Sequence, residues 1–416
     1  MKSNGIIILA PPWPRTGTSN LIAAQIEGYL NTGNKVYLLL EPLGPWHSKH
    51  FSENWHEIVR GMPFADRIEI GYPLAPAGIV RKFLSRFIGC SDSITEIANY
   101  AASGTLPKTL LNFIKRHAIK HLRVNHVFGM KLAKRVRKEI QTNTSEPVPI
   151  ILDTHDIQTE SYVHSQRENI VSGKKDSREK MLAGELTLIR AADAVIHISE
   201  SEYKFFSEAL PQSRHYFIPA TLHPEIERSL TTDRRCNCPS EYDFVFIGNN
   251  NAGNLSSVRW LLADVIPHLR GKMPSIRIVG TIRSLFEYSE PELFQRYESL
   301  FEGEVTSTLP FYRSAKAVLA HSTVGTGASI KLIEALCAGK IILTSTVGIR
   351  GATNLTASDD LFVLDEPQEF AAAMEKISSE PKRVSEKNSE YYDLYFSNRA
   401  YRTAMKTIKV LPQHPI

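Results

Sequence analysis

Short apolar runs recur along the chain, each bounded by Gly, Pro or Asn and each followed by a stretch whose apolar residues fall at helical spacing. That alternation predicts strand, turn and helix in repeated order, the grammar of a parallel sheet. Residues 6–10 predict a buried strand, 11–18 a Pro- and Gly-rich turn, and 19–31 a helix with Leu21, Ala24, Ile26 and Leu30 inward. Gly33 stops that helix, and 35–40 is the next strand, which completes a βαβ unit lacking G-x-G-x-x-G. Residues 75–146 read as helical and basic. Residues 148–152 predict a strand running straight into Asp153-Thr154-His155-Asp156, so this polar cluster sits at the carboxyl end of a strand, where open α/β sheets bind ligands. Then come a helix over 179–192 with Leu182, Leu186 and Ile189 inward, a strand over 194–198 and a helix over 202–210.

A polar stretch, 223–241, reads as a linker, after which the pattern restarts. Residues 243–247 predict a strand, Gly248 to Asn254 a turn, and the next helix carries Val258, Leu261, Leu262, Val265, Ile266 and Leu269 on one face. Residues 276–280 and 317–320 are further buried strands. The expected organisation is a first α/β domain over 1–222, a linker over 223–241, a second α/β domain over 242–388 and a final helical segment over 389–416. A length of 416 residues agrees, because it exceeds what one hydrophobic core normally serves.

Composition narrows the class little, but charge and cysteine usage do more. Cys90, Cys236, Cys238 and Cys337 are too few and too scattered for a disulfide framework, and no second Cys or His pair stands at zinc spacing from Cys236 and Cys238. No metal is expected. The amino-terminal apolar run is too short for a secretory segment and no run approaches a membrane span, so the expectation is a cytoplasmic protein. The net charge of +5 is unevenly spread: residues 97–138 hold ten Lys and Arg and no Asp or Glu. Residues 81–88 mix Arg and Lys with Phe, Leu and Ile in the manner of an interfacial helix. This basic region is either a solvated face or a surface for an anionic membrane. No nucleic-acid-binding motif accompanies it, so nucleic acid is not an expected partner.

The sharpest chemistry lies in residues 322–351. Gly325 and Gly327 open the turn after a buried strand, the following helix ends at Gly339, and the amides of 327–330, from Gly327, Ala328 and Ser329 onward, are expected to face outward. Lys331 adds a cation one turn in, and Glu334 follows three residues later on the same face. Amides, helix dipole and ammonium favour a phosphate, and the carboxylate suits ribose hydroxyls. A nucleotide sugar has both.

This stretch resembles the donor-binding segment of retaining glycosyltransferases of group 1, which have the GT-B fold. The resemblance extends to Phe246-Ile247-Gly248 and the Asn-containing turn after it, to Ile278-Val279-Gly280, to Gly303-Glu304-Val305 with Leu309-Pro310-Phe311-Tyr312, and to Asp153-Thr154-His155-Asp156 in the first half. It implies two Rossmann-like domains facing across a cleft, with the last helix packed on the first domain. It also implies a nucleotide-sugar donor, a glycan or lipid-linked acceptor and no cofactor or metal. His155 would contact the sugar or position the acceptor, with Asp156 or Asp153 orienting its ring, and Lys331 would take the leaving-group charge. Gly17, Gly248, Arg283, Val305, Gly325, Thr326, Gly327, Ala328, Ser329 and Glu334 would line the substrates. One departure stands out: the family usually carries a glutamate eight residues before the ribose-binding one, and here that position is Thr326. The turn after the first strand of the second domain offers Asn249 and Asn254 where the family has cations. A sugar-nucleotide epimerase and a catalytically silent nucleotide- or glycan-binding protein are the alternatives.

Overall fold

The structure, a computed structural model, describes residues 2–12, 17–42, 55–56, 59–60, 62, 64–73, 93–168, 176–234 and 240–408. The segment 81–88 and Cys90, Cys236 and Cys238 lie outside the described residues. The chain forms two compact units: residues 1–160, 174–218 and 402–416 make one, and 161–173 with 219–401 make the other.

The first unit contains β1 (Asn4–Ala10), α1 (Gly17–Asn31), β2 (Lys35–Leu40), β3 (Ile68–Gly71), α2 (Ser93–Ser103), α3 (Lys108–Arg116), β4 (Ala118–Asn125), α4 (Met130–Gln141) and β5 (Ile150–Asp153). Helix α5 (Gln158–Arg167) passes from this unit into the other, and α6 (Arg178–Ile189), β6 (Ala194–His197), α7 (Glu200–Ala209) and β7 (His215–Phe217) complete it. Its seven strands are parallel in the order β3-β2-β1-β4-β5-β6-β7. Parallel strands covered on both faces must be apolar throughout. Ile6, Ile7, Ile8, Leu9 and Ala10 of β1 are accordingly all buried, and Ile6, Ile8 and Ala10 pack with Ile22, Ile26 and Leu30 of α1 in one cluster.

The second unit contains α8 (Pro224–Asp233), β8 (Tyr242–Ile247) and α9 (Ala252–Trp260), which runs on through a wider turn over Leu261–Val265. Then come β9 (Ile276–Val279), α10 (Ile282–Ser289), α11 (Pro291–Tyr297), β10 (Phe301–Gly303), α12 (Leu309–Ser314) and β11 (Ala315–Leu319). The unit continues with α13 (Ile330–Cys337), β12 (Ile341–Thr344), β13 (Leu361–Val363), α14 (Pro367–Ser379) and α15 (Glu386–Tyr395), and α16 (Asn398–Met405) straddles the unit boundary. Its six parallel strands run β10-β9-β8-β11-β12-β13. The core joins Phe244, Phe246 and Ile278 to Val258, Leu261, Leu262 and Val265 of the helical segment and to Phe370 and Met374 of α14. Counted from β8, this is the strand order of the first six strands of the first unit.

The structure departs from the sequence expectations at four places. The polar stretch 223–241 is not a plain linker: Pro224 starts α8, the His223 ring accepts from the Glu225 N–H, and Leu230 is buried. The final segment is two helices, α15 and α16, because Phe396 ends the first and a second begins at Asn398. On α6 the buried residues are Met181, Glu185, Leu188 and Ile189, while Leu182 and Leu186 are half-buried. The Glu185 carboxylate takes the inward stripe because it accepts from the Gln158 and Thr159 amides at the start of α5.

The fourth departure is β4, a central strand inside the stretch read as helical and basic. Arg123 is fully buried on it, where it pairs with Asp153 of the neighbouring β5. The basic face is therefore smaller than expected: Arg123 is interior, Arg116 pairs with Glu69, and Arg137 pairs with Asp193. Lys108, Lys115, Lys134 and Lys138 remain exposed. Among the described residues no helix is long and apolar enough to cross a membrane.

Candidate functional site

In a doubly wound sheet the crevice for ligands opens at the carboxyl ends of the two strands where the winding reverses. Those strands are β1 and β4 in the first unit and β8 and β11 in the second.

In the second unit, the loops leaving β8 and β11 meet. A Cβ on Gly253 would stand 3.6 Å from the Val324 carbonyl oxygen. Asn251 caps α9 by accepting from the Asn254 N–H, and Asn254 in turn donates to the Asn249 carbonyl. This leaves Asn254 Oδ1 to accept from Lys331 Nζ at 2.9 Å, while the same ammonium lies 3.9 Å from the centre of the Phe246 ring. Glycines continue the rim along the sheet. Gly248 N–H donates to the Val279 carbonyl and Gly280 N–H to the Gly303 carbonyl, so the carboxyl ends of β8, β9 and β10 end in a ledge without side chains. Gly280, at φ +113°, has no space for one: a Cβ there would fall 2.3 Å from the Gly248 carbonyl oxygen.

Helix α13 begins at this crevice. Ser329 is its N-cap, buried, and its hydroxyl makes no hydrogen bond, whereas a serine in that place ordinarily accepts from the first turn. One turn in, burial and then the nearby Arg350 guanidinium lower the Lys331 ammonium to a pKa of about 7. Glu334 lies on the same side of the helix. Its Oε2 accepts from the Tyr312 hydroxyl at 2.6 Å, and burial lifts its carboxyl to a pKa of about 7 against that bond and Lys331. Both groups thus change charge near neutrality, which places a titrating cation and a titrating acid one turn apart.

The first unit's crevice is built from neutral groups. Asn125, the last residue of β4, donates to the Leu9 carbonyl and to Gln25 Oε1, and its Oδ1 faces His155 Nε2 at 2.9 Å. Since Oδ1 can only accept, His155 carries its proton on Nε2 and presents a lone pair at Nδ1. His126 stacks on His155 with ring centroids 4.4 Å apart, and bonds Thr18 and Gln158 through its two nitrogens. Both histidines sit at positive φ, +70° and +63°, a conformation that costs a non-glycine residue about 1–3 kcal/mol. Burial holds His126 down to a pKa of about 3, and burial with the neighbouring His126 and Arg123 puts His155 well below the usual imidazole value.

In the second unit Gly248 lies against Asn254, which holds Lys331, while Gly325, Thr326, Gly327, Ala328 and Ser329 lead into α13, on which Glu334 bonds Tyr312. Arg283 lies beside Gly303, and its guanidinium donates to the Phe301 carbonyl, reaches Glu298 and lies over the Phe294 ring. Val305, half-buried, follows β10. Of the amides expected to face outward, Ser329 N–H instead donates to the Arg350 carbonyl at 3.3 Å. In the first unit Gly17 starts α1 and His155 stands at the crevice, but its partner is Asn125 rather than a carboxylate. Asp153 is occupied by Arg123, and the acids Glu185 and Glu202 are raised chiefly by burial, to which the charge of half-buried Asp156 adds.

Sequence reasoning missed four residues. Asn125 ends, and His126 directly follows, a strand that was not recognised. Arg350 stands at the end of the segment singled out, yet its position beside Gly325 is purely tertiary. Glu41, which directly follows β2, is buried with neither carboxylate oxygen hydrogen-bonded, and burial alone raises it well above the usual range. An acid directly after an apolar strand is a signal for a strand-end polar group, and that signal was present.

Comparison with known proteins points the same way for the second unit. Residues 241–380 match the family model described as glycosyl transferases group 1. No curated protein matches the sequence. Among solved structures, HepE from Anabaena in complex with UDP-glucose superposes with a TM-score of 0.61 at 13% identity, covering 98% of this chain and 100% of that one. The same protein in complex with UDP gives 0.59 at 12% identity, over 97% of this chain and 98% of the other. A UDP-forming trehalose-phosphate synthase from Burkholderia xenovorans gives 0.55 at 9% identity, with 97% of this chain and 98% of that chain covered. At such identities the likeness shows a shared fold, the GT-B arrangement of two parallel-sheet units.

Proposed function

We propose that this chain is a retaining glycosyltransferase that moves a sugar from a nucleotide-sugar donor to a glycan or lipid-linked acceptor, in polysaccharide or glycolipid assembly. The observation that carries the reading is Lys331, which at the N-terminal turn of α13 donates to Asn254 in the first turn of α9, with Glu334 one turn below it. The family match of the same residues supports it. Solved structures of this fold include complexes with UDP and UDP-glucose, which makes UDP-sugars the first donors to test.

The chemistry follows from the charges. In retaining transfer the bond between the anomeric carbon and the diphosphate oxygen breaks, the acceptor oxygen bonds to that carbon, and the acceptor's proton passes to the departing phosphate. The enzyme's task is to stabilise the leaving diphosphate more than to activate a nucleophile. Lys331 and the free amides of α13 take that charge, so in this reading no metal is required. Glu334 accepts from the ribose hydroxyls with the oxygen left by Tyr312. His155, neutral and with a lone pair at Nδ1, accepts a hydrogen bond from a sugar or acceptor hydroxyl.

The test is turnover against a panel of nucleotide sugars with the anomeric configuration read by NMR. Transfer or hydrolysis with retention supports the proposal, and an epimerised donor returns the epimerase. Binding without turnover returns the silent protein, the reading that Thr326 favours.

A further inference from the structure

The chain that leaves β12 returns to the glycine turn in front of α13 and is fastened there. Ser322 N–H donates to Ser345 Oγ at 3.0 Å, and Ser345 Oγ donates back to the Ser322 carbonyl at 2.6 Å. Farther along, the Arg350 carbonyl accepts from Ser329 N–H, and Arg350 Nη1 donates to the Val347 carbonyl at 3.1 Å. These bonds set the Arg350 guanidinium directly against the turn. A Cβ built on Gly325 would fall 2.6 Å from Arg350 Cζ and 2.7 Å from Nη2, so the arginine occupies the space that a side chain at 325 would take. Gly325 itself, at φ +145°, has a conformation that favours glycine.

Three groups therefore stand at the start of α13: the guanidinium of Arg350 against Gly325, the ammonium of Lys331 on Asn254 and the buried, unpartnered hydroxyl of the N-cap Ser329. Two like charges in a part-buried crevice oppose each other, and Arg350 adds to the fall in the Lys331 pKa that burial chiefly causes. A bound anion relieves it. The turn after β8, meanwhile, holds no cation of its own, and Asn254 there serves to hold Lys331.

We propose that Arg350 is a direct ligand of the donor's anionic group, acting with Lys331 and the Ser329 hydroxyl as a second cation brought in from the loop after β12. This rests on the second unit being the nucleotide-sugar site. Guanidinium presents a planar fork of donors that fits two oxygens at once, and it stays charged where Lys331 begins to lose its proton, so it holds an anion above neutrality as well as below. The anion is the diphosphate or, in a uronic-acid donor, the sugar carboxylate.

The experiment is calorimetry on the full chain with uridine, UDP, UDP-glucose and UDP-glucuronate, comparing the unsubstituted protein with Arg350→Gln and Arg350→Lys. Denaturant unfolding checks that each variant folds. Arg350→Gln should weaken UDP, UDP-glucose and UDP-glucuronate alike by about tenfold or more and leave uridine within about twofold. Arg350→Lys, which keeps the charge and loses the fork, should fall between. A loss confined to UDP-glucuronate also supports the assignment and moves the contact to the sugar carboxylate. Unchanged affinity for all four ligands in folded Arg350→Gln overturns it, and if that variant does not fold, unchanged affinity in Arg350→Lys does so. Binding of none of the four by the unsubstituted protein removes the nucleotide reading itself, and Arg350 falls with it.

Discussion

At the carboxyl edge of the first sheet the crevice is lined by neutral imidazoles and amides, whereas at the matching edge of the second sheet Lys331 and Arg350 stand beside a row of glycines. Strand order is the same in both places as far as six strands run, so topology decides only where a ligand can sit. The residues after β1 and β4 or after β8 and β11 decide what it is. Stacked, uncharged His126 and His155 held by Asn125, Thr18 and Gln158 suit hydroxyl groups, each of which can donate and accept. Cations beside exposed backbone suit phosphate. The first unit does contain a buried cation nearby, Arg123, but Asp153 consumes it.

That pairing gives the largest expected effect. Arg123→Ala leaves Asp153 buried without its partner and should cost about 3–5 kcal/mol of stability, read from denaturant unfolding. A loss under about 1 kcal/mol would mean that the first crevice is not kept neutral by this ion pair. Next in size is His155→Ala, which should lower transfer by about a hundredfold or more while nucleotide affinity stays within about twofold. An equal fall in nucleotide affinity would erase the distinction between the two crevices.

Much of the second unit was legible in the sequence because its strands are continuous apolar runs and because Lys331 and Glu334 keep helical spacing on a helix that Gly339 stops at φ +61°. The first unit was less so. In β4, Lys120, His121 and Arg123 interrupt the apolar run, and only the cross-strand pairing of Arg123 with Asp153 makes that sequence a central strand. Leu182 and Leu186 misled for a related reason: the inward face of α6 is fixed by Glu185, which bonds the start of α5. Arg350 was invisible as a site residue because its place beside Gly325 depends on how two loops meet. Pattern reports periodic burial, and these features are polar contacts between distant segments.

A smaller effect concerns pH. Phosphate binds the protonated form of Lys331, so affinity for UDP should fall as pH rises through about 7, and binding near that pH should take up a proton, seen as a dependence of the calorimetric heat on buffer ionisation enthalpy. Glu334 ionises over the same interval and accepts ribose hydroxyls better once charged, so affinity for uridine should hold or rise. Parallel pH profiles for UDP and uridine would contradict separate roles. Smallest is the surface term. The exposed Lys108, Lys115, Lys134 and Lys138 should give the first unit an attraction to acidic vesicles that added salt removes, since screening shortens to about 8 Å near physiological ionic strength. Equal binding to neutral vesicles would end the membrane proposal.

The most direct test of the contrast is calorimetry of UDP and uridine on the unsubstituted chain, Lys331→Ala and Glu334→Ala. Loss of a charge-assisted contact worth about 1.5–3 kcal/mol predicts that Lys331→Ala weakens UDP by about ten- to a hundredfold and spares uridine, while Glu334→Ala weakens both. If both variants fold and bind UDP and uridine as the unsubstituted chain does, residues 325–334 are only a structural turn and the second crevice is not the donor site.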